Sequence, residues 1–272
     1  MQLLERGASL TSLAGYAQEA RHGEGRLVLV AGEAGVGKSA LVEQLHSDLH
    51  DARWSWGGCD GLSTPRPLGP LFDMAGQLGG ELEDLCQTGA PREDMFRALL
   101  RQASQPGTLS VLVVEDVHWA DEATVDLLRF LGRRLRDASA LLIVTYRDDG
   151  LAADDPLRIA LGDLATQRST RRVELAPLSA DAVRILANGS GIEAAALYRL
   201  TGGNPFFVTE VVQAGLGAVP PSARDAVLAR AARLSGGSRE VLDVSALIGM
   251  RAVEVLEGPG RLFIQPRRQR DL

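Results

Sequence analysis

An α/β fold, in which a doubly wound and mostly parallel sheet is followed by a segment of helices alone, is the architecture predicted by this 272-residue sequence. Three observations predict it. Runs that are apolar throughout, rather than at every second residue, alternate with helical patterns over the first 178 residues, as strands do when helices cover both faces of a parallel sheet. From Ser179 onward only helical spacing remains. The first apolar run, RLVLVAG at 26–32, also passes through a glycine-rich turn straight into a helical pattern.

Each element follows from local chemistry. Residues 8–22 carry apolar side chains at helical spacing and stop at Gly23. A buried strand at 26–32, a helix at 39–50 and a short strand at 53–58 come next, then a Pro/Gly-rich loop, CDGLSTPRPLGP. Helices near 70–79 and 92–104 precede a strand at 109–114 and a helix at 121–136, where Asp121 reads as the N-cap. ALLIVTYR at 140–147 is another buried strand, followed by a helix near 155–166 and a last strand at 171–175. Further helices are expected near 179–188, 193–201, 204–214, 222–234 and 238–248, with Ser222 and Ser238 as N-caps and Asp225 as the acid of a capping box. The change of pattern places a domain boundary near residue 178.

Composition narrows the class. Apolar residues make up 45% and charged residues 24%, an ordinary globular balance, and no apolar run approaches the ~20 residues needed to cross a bilayer. The N-terminus has no basic stretch leading into an apolar one, and Cys59 and Cys86 form neither a metal spacing nor a disulfide framework. A reducing, cytoplasmic setting is the expectation. Residues 1–178 hold 18 basic against 26 acidic side chains, a balance of −8, which argues against a nucleic-acid face there.

Of the 29 basic residues, 28 are arginine and one, Lys38, is lysine. The two groups differ most where a compact point charge must fit tightly. Lys38 stands in GEAGVGKS, 32–39, which matches G-x-x-x-x-G-K-S between a strand and a helix. Such a loop surrounds phosphate oxygens with backbone N–H groups at the positive end of a helix. Gly32, Glu33, Ala34, Gly35, Val36, Gly37, Lys38 and Ser39 are therefore nucleotide-binding candidates. Lys38 would face the β- and γ-phosphates, and the Ser39 hydroxyl would hold Mg²⁺.

VLVVEDVHWAD, 111–121, places two acids, Glu115 and Asp116, at the end of an apolar strand expected to lie beside that loop. Unpaired carboxylates there are costly to desolvate, so a cation partner is implied. By position Glu115 is the Mg²⁺ partner and Asp116 the base that prepares the attacking water; the reverse assignment also fits. Arg147 ends the next strand, where it would reach the γ-phosphate or pair with Asp148 or Asp149. Trp119 reads as packing; His118 is open between packing and chemistry, with packing preferred.

With these motifs the chain resembles the ATPase module of the STAND class of AAA+-related P-loop NTPases, and within it the large ATP-binding regulators of the LuxR type. The resemblance spans roughly residues 3–250 and rests on LLERGASL, GEAGVGKSALV, CDGLSTPRPLGPL, VVEDVHWADEATVDLLRFLGRR, TYRDD, VELAPLS, TGGNPFFVTEV and VPPSARDAVLARAARLS. It implies a P-loop ATPase domain at 1–178, a helical lid at 179–216, the start of a winged-helix-like domain at 217–250, and an atypical tail at 251–272. Gly203, Asn204 and Pro205 match the element with which such a lid closes over the adenine and ribose.

The implied ligands are ATP or ADP with Mg²⁺. The implied function is a regulatory switch with slow ATP hydrolysis and self-association in the ATP state. A nucleotide-binding remnant without turnover and a DNA-associated AAA+ ATPase are the alternatives. The tail stretch VEVLE-GPG-RLFIQ reads as a hairpin or as unrelated sequence, and no DNA-reading helix and no membrane partner are expected.

Overall fold

The computed structural model describes residues 3–62, 66–105, 107–148, 155–215, 221–232 and 236–248. Its centre is a five-stranded sheet of β1 (Arg26–Ala31), β2 (Arg53–Gly58), β3 (Ser110–Glu115), β4 (Ala140–Tyr146) and β5 (Thr170–Glu174), in the order β2-β3-β4-β1-β5. Every pairing is parallel, with Ala31 beside Tyr146 and Val114 beside Val144.

That order decides where the helices lie. The step from β1 to β2 runs towards one edge of the sheet, whereas the steps β2 to β3, β3 to β4 and β4 to β5 run the other way. Since parallel crossovers are right-handed, the two directions place their helices on opposite faces. Accordingly α2 (Lys38–Asp48) joins α1 (Gly7–Arg21) on one face. The other face carries α3 (Gly69–Leu78), α4 (Gly80–Thr88), α5 (Arg92–Ala103), α6 (Glu122–Gly132) and α7 (Pro156–Ala165). Alternate strand residues feed the two cores: Val28, Val30, Val111, Val113, Leu141 and Ile143 meet α1 and α2, and Leu27, Leu29, Leu112, Val114, Leu142 and Val144 meet α3 to α7. Burial on both faces explains the unbroken apolar runs.

The edge strand β2 is closed by a helix rather than left bare. The Trp56 N–H donates to Gln77 Oε1 at 2.8 Å, Gln77 Nε2 donates back to the Trp56 carbonyl, and the Gly58 N–H donates to Asp73 Oδ2 at 3.2 Å. Side chains of α3 thus satisfy backbone groups that would otherwise template another strand.

Helices α8 (Ala180–Ala187), α9 (Ala194–Thr201) and α10 (Pro205–Ala214) follow, sharing a core of Leu178, Val183, Ile192, Leu197, Val208 and Val211. The chain divides into two compact units, Met1–Val212 and Gln213–Leu272. Ser179 therefore marks a change of pattern inside the first unit. The second unit includes α11 (Pro221–Ala231) and α12 (Gly236–Ile248).

Local readings need correction in three respects. Helix α4, GELEDLCQT between two glycines, is not among the expected helices; its apolar stripe is short, with Leu82 buried and Leu85 and Cys86 partly buried against the core. The helix expected over 121–136 ends at Gly132 and is followed by a 3₁₀ turn at Leu135–Asp137. Ser222 and Ser238 lie inside their helices rather than at N-caps; Pro221, suited to the first helical position, starts α11 one residue earlier. The expected hairpin and tail at 251–272 lie outside the described residues.

Candidate functional site

The loop 32–37 leaves the C-terminal end of β1 and enters α2 at Lys38, at the sheet edge where open α/β folds collect ligands. Gly32, Gly35 and Gly37 have φ of 146°, 79° and 98°, the region that side chains rarely adopt. At Gly35 space matters as well. A Cβ there would stand 2.8 Å from Phe206 Cβ and 2.9 Å from Asn204 Oδ1.

The loop's carbonyls are held one by one. Lys38, 7% exposed, donates from Nζ to the Gly32 carbonyl at 2.7 Å and the Glu33 carbonyl at 2.8 Å. Asn204 Nδ2 donates to the Ala34 carbonyl at 2.9 Å, the Phe206 N–H to Gly35 at 3.2 Å, and Arg6 Nη2 to Val36 at 3.1 Å. In a trans peptide the next N–H points opposite to the carbonyl, and among the described residues no peptide is cis. Holding three consecutive carbonyls from outside the loop fixes these peptide planes, while the Val36 N–H is turned back to the Glu33 carbonyl at 3.4 Å. Ser39 is the second residue of α2 and is exposed.

The acids do not lie immediately beside the loop as expected. Strand β4 stands between β1 and β3, so β3 is two strands away from β1, about 10 Å. This spacing suits a carboxylate that reaches a phosphate-bound cation through water rather than directly. Glu115 is half-buried, and among the described residues no donor reaches its Oε1. A buried acceptor of this kind fits a cation's hydration shell. No three His, Cys, Asp or Glu side chains gather into a metal cage among the described residues. Mg²⁺ would thus be held as it usually is in phosphate sites, by ligand oxygens, the Ser39 hydroxyl and one or two carboxylates.

Asp116 has φ of 54°, a left-handed conformation that aims its side chain away from the strand's alternation. Its N–H donates to Thr145 Oγ1 at 3.0 Å, which pins the turn to β4. The Asp116 carboxylate is about half exposed, and His118 Nδ1 lies 3.6 Å from its Oδ1. Trp119 packs against the core of the α3 to α7 face and over Gly61. Asp121 caps α6 as expected, accepting from the Ala123 and Thr124 amides, and also holds the Leu68 N–H. Arg147, half-buried, follows β4 between the loop and the acids, and among the described residues it makes no ion pair.

Of Gly203, Asn204 and Pro205, Asn204 meets the phosphate loop directly, joined there by Phe206. Gly203 has φ of 76°, and a Cβ there would lie 2.1 Å from the Leu178 carbonyl. Pro205 opens α10, and Asn204 Oδ1 accepts from the Phe206 N–H at 3.1 Å.

Two contributors escaped the sequence reading. Arg6, 6% exposed, bridges Val36 and the Ala176 carbonyl, the latter at 2.8 Å; burial lowers its pKa. Its neighbour Glu5 accepts from the Ser179 N–H at 2.9 Å and from the Ser179 hydroxyl, which together lower the carboxyl pKa. Only the LLERGASL resemblance pointed there, and it assigned no role.

Residues 2–144 match the AAA ATPase domain family. An uncharacterized protein of Rhizobium meliloti (strain 1021) is 27% identical over 248 residues, covering 70% of this chain and 23% of its own length. The chain thus spans less than a quarter of that curated relative. Among solved structures, Cdc6p of Pyrobaculum aerophilum has a TM-score of 0.59 at 15% identity, with 78% of this chain and 61% of that one covered. Orc1 of Aeropyrum pernix, solved in complex with DNA, has a TM-score of 0.52 at 16% identity, covering 94% and 71%. A STAND protein with a tetratricopeptide repeat sensor from Pyrococcus horikoshii has a TM-score of 0.49 at 20% identity, covering 86% and 34%. The Cdc6p and Orc1 likenesses show the fold. No helix among the described residues is long and apolar enough to cross a membrane.

Proposed function

The chain belongs to the AAA ATPase domain family, and from that premise we propose that it is a nucleotide-controlled switch that binds ATP with Mg²⁺ and hydrolyses it slowly. The observation that carries this reading is the phosphate loop at the head of α2, whose carbonyls at 34, 35 and 36 are each bonded from outside so that its peptide planes are fixed. Bound Mg²⁺ would supply charge neutralisation between the phosphate groups. The rest falls to this chain's own side chains. Lys38 sets a positive charge at the loop, and the Ser39 hydroxyl and the Glu115 carboxylate are the oxygen groups that would hold Mg²⁺. Asp116, more exposed than the strand before it, takes the proton of the attacking water; Glu115 and Asp116 in exchanged roles remain the alternative assignment. Arg147 faces the developing negative charge.

The finer reading is a STAND-class module of LuxR-type regulators, supported by VVEDVHWAD and TGGNPFFV. In it residues 1–178 are the ATPase core, 179–216 the lid and 217–250 the start of a winged-helix-like domain. ATP closes the lid on the loop, exposes a surface for self-association, and hydrolysis resets it. The Aeropyrum protein was solved on DNA, but at 16% identity that likeness speaks for the fold alone, and the −8 balance of residues 1–178 disfavours a DNA-tracking role here.

The test is equilibrium ATP binding and multiple-turnover phosphate release for the wild type and Lys38→Ala. Wild type is expected to bind ATP·Mg²⁺ and release phosphate steadily, and the variant to lose both. Binding without release above the variant would select the non-hydrolysing remnant. A variant that binds and hydrolyses at the original rate would remove the reading altogether.

A further inference from the structure

Resting on that reading, we infer that Asn204 is a positioning residue of the phosphate loop: it binds the loop's backbone and thereby makes lid position set nucleotide affinity. The geometry is specific. Asn204 is 4% exposed and uses both ends of its amide. Oδ1 accepts from the Phe206 N–H at 3.1 Å and Nδ2 donates to the Ala34 carbonyl at 2.9 Å. Only one orientation of the amide satisfies both partners, since Phe206 offers a donor and Ala34 an acceptor. The Phe206 N–H is shared with the Gly35 carbonyl at 3.2 Å. Two consecutive loop carbonyls are therefore held by residues at the start of α10 rather than by the ATPase core.

The corner cannot slip relative to the loop without breaking these bonds. Gly35 has no side chain, and a Cβ there would clash with both Phe206 and Asn204. On the other side Gly203 is pressed against the Leu178 carbonyl, and the Leu178 N–H donates to the Gly203 carbonyl at 2.8 Å. The segment 203–206 is thus clamped between the loop and the connector that leads from β5 into α8. Movement of α10 pulls on Ala34 and Gly35, whose carbonyl direction decides where the following amides point. In this arrangement the lid senses phosphate through the loop's peptide planes.

The experiment uses the full chain, with ATP as the probe, and two readouts. In the first, ATP·Mg²⁺ affinity is compared among wild type, Asn204→Ala and Lys38→Ala. Asn204→Ala is expected to bind about tenfold more weakly, the scale of one lost, geometry-setting hydrogen bond. In the second, amide hydrogen exchange of the ligand-free protein is followed residue by residue. Asn204→Ala is expected to speed exchange at Phe206 and across 33–38 while leaving β1 and β3 unchanged, which a general loss of stability would not do. Asn204→Asp, with the same shape, keeps the acceptor for Phe206 and loses the donor to Ala34. It should reproduce both effects, and it serves if the alanine variant fails to fold. Wild-type affinity in either folded variant, or unchanged exchange at 33–38, overturns the inference while leaving the nucleotide site intact. Failure of the wild type itself to bind ATP overturns the site reading and this inference with it.

Discussion

Two carboxylates show how one side chain can serve at distance from the chemistry. Glu5 is nearly fully exposed, yet its bonds from Ser179 hold its pKa below the ordinary value, so it caps α8 while charged. A depressed folded-state pKa contributes stability that is present above the unfolded pKa and lost as pH falls through the folded one. Glu5→Gln should therefore lower the denaturation midpoint slightly at pH 7, and the difference between the two proteins should shrink as pH is taken below the ordinary glutamate range and through the depressed folded-state pKa. Denaturant titrations over a descending pH series check this. Glu115 is the opposite case, half-buried, with an Oε1 that no described residue satisfies. At this scale the sequence was informative about residue type and poor about partners. The lone lysine and the paired acids announced a phosphate site, but nothing local indicated that Arg6 would bind the Val36 carbonyl, because that contact exists only once α1, the loop and the end of β5 have met.

Among the elements, α6 depends on one cap with two duties. Asp121 receives the Ala123 and Thr124 amides and also the Leu68 amide from the Pro/Gly-rich loop. Asp121→Ala should cost about 1–2 kcal/mol, read as a lower denaturation midpoint at unchanged slope. Unbroken apolar runs, written by burial on both faces, located β1, β3 and β4 to within a residue or so, whereas β2, RWSWGG, is only partly buried. Strand β5, with only Val173 buried, was legible mainly from its place after α7. Strand order was not legible. Neighbours in sequence and neighbours in the sheet part company at β1, and the expectation that the acid-bearing strand lies beside the loop failed for that reason. The intervening β4 brings Thr145 under Asp116 and Arg147 between the two halves of the site.

For the molecule as a whole, ligand binding and folding are linked wherever the folded state alone holds the ligand. At ATP·Mg²⁺ a hundredfold above its dissociation constant the stabilisation is about 2.7 kcal/mol. For a unit of this size that corresponds to a Tm rise of about 5–10 °C, absent in Lys38→Ala, and thermal scans with and without nucleotide check it. The division after Val212 groups the helices 180–212 with the sheet, although their composition differs from it. What joins them is a small set of long-range bonds that no periodicity reveals.

Those bonds also bear on when the pocket can exist. The Arg6 bond to Ala176 and the Asn204 bond to Ala34 each close a separation of 170 residues. A nascent chain that has emerged only as far as β4 holds the glycine-rich turn and its lysine but lacks the donors that steady Ala34 and Gly35. Pocket completion is therefore a late event in synthesis, and partly made chains caught on the ribosome before residue 206 should bind ATP more weakly than the finished chain.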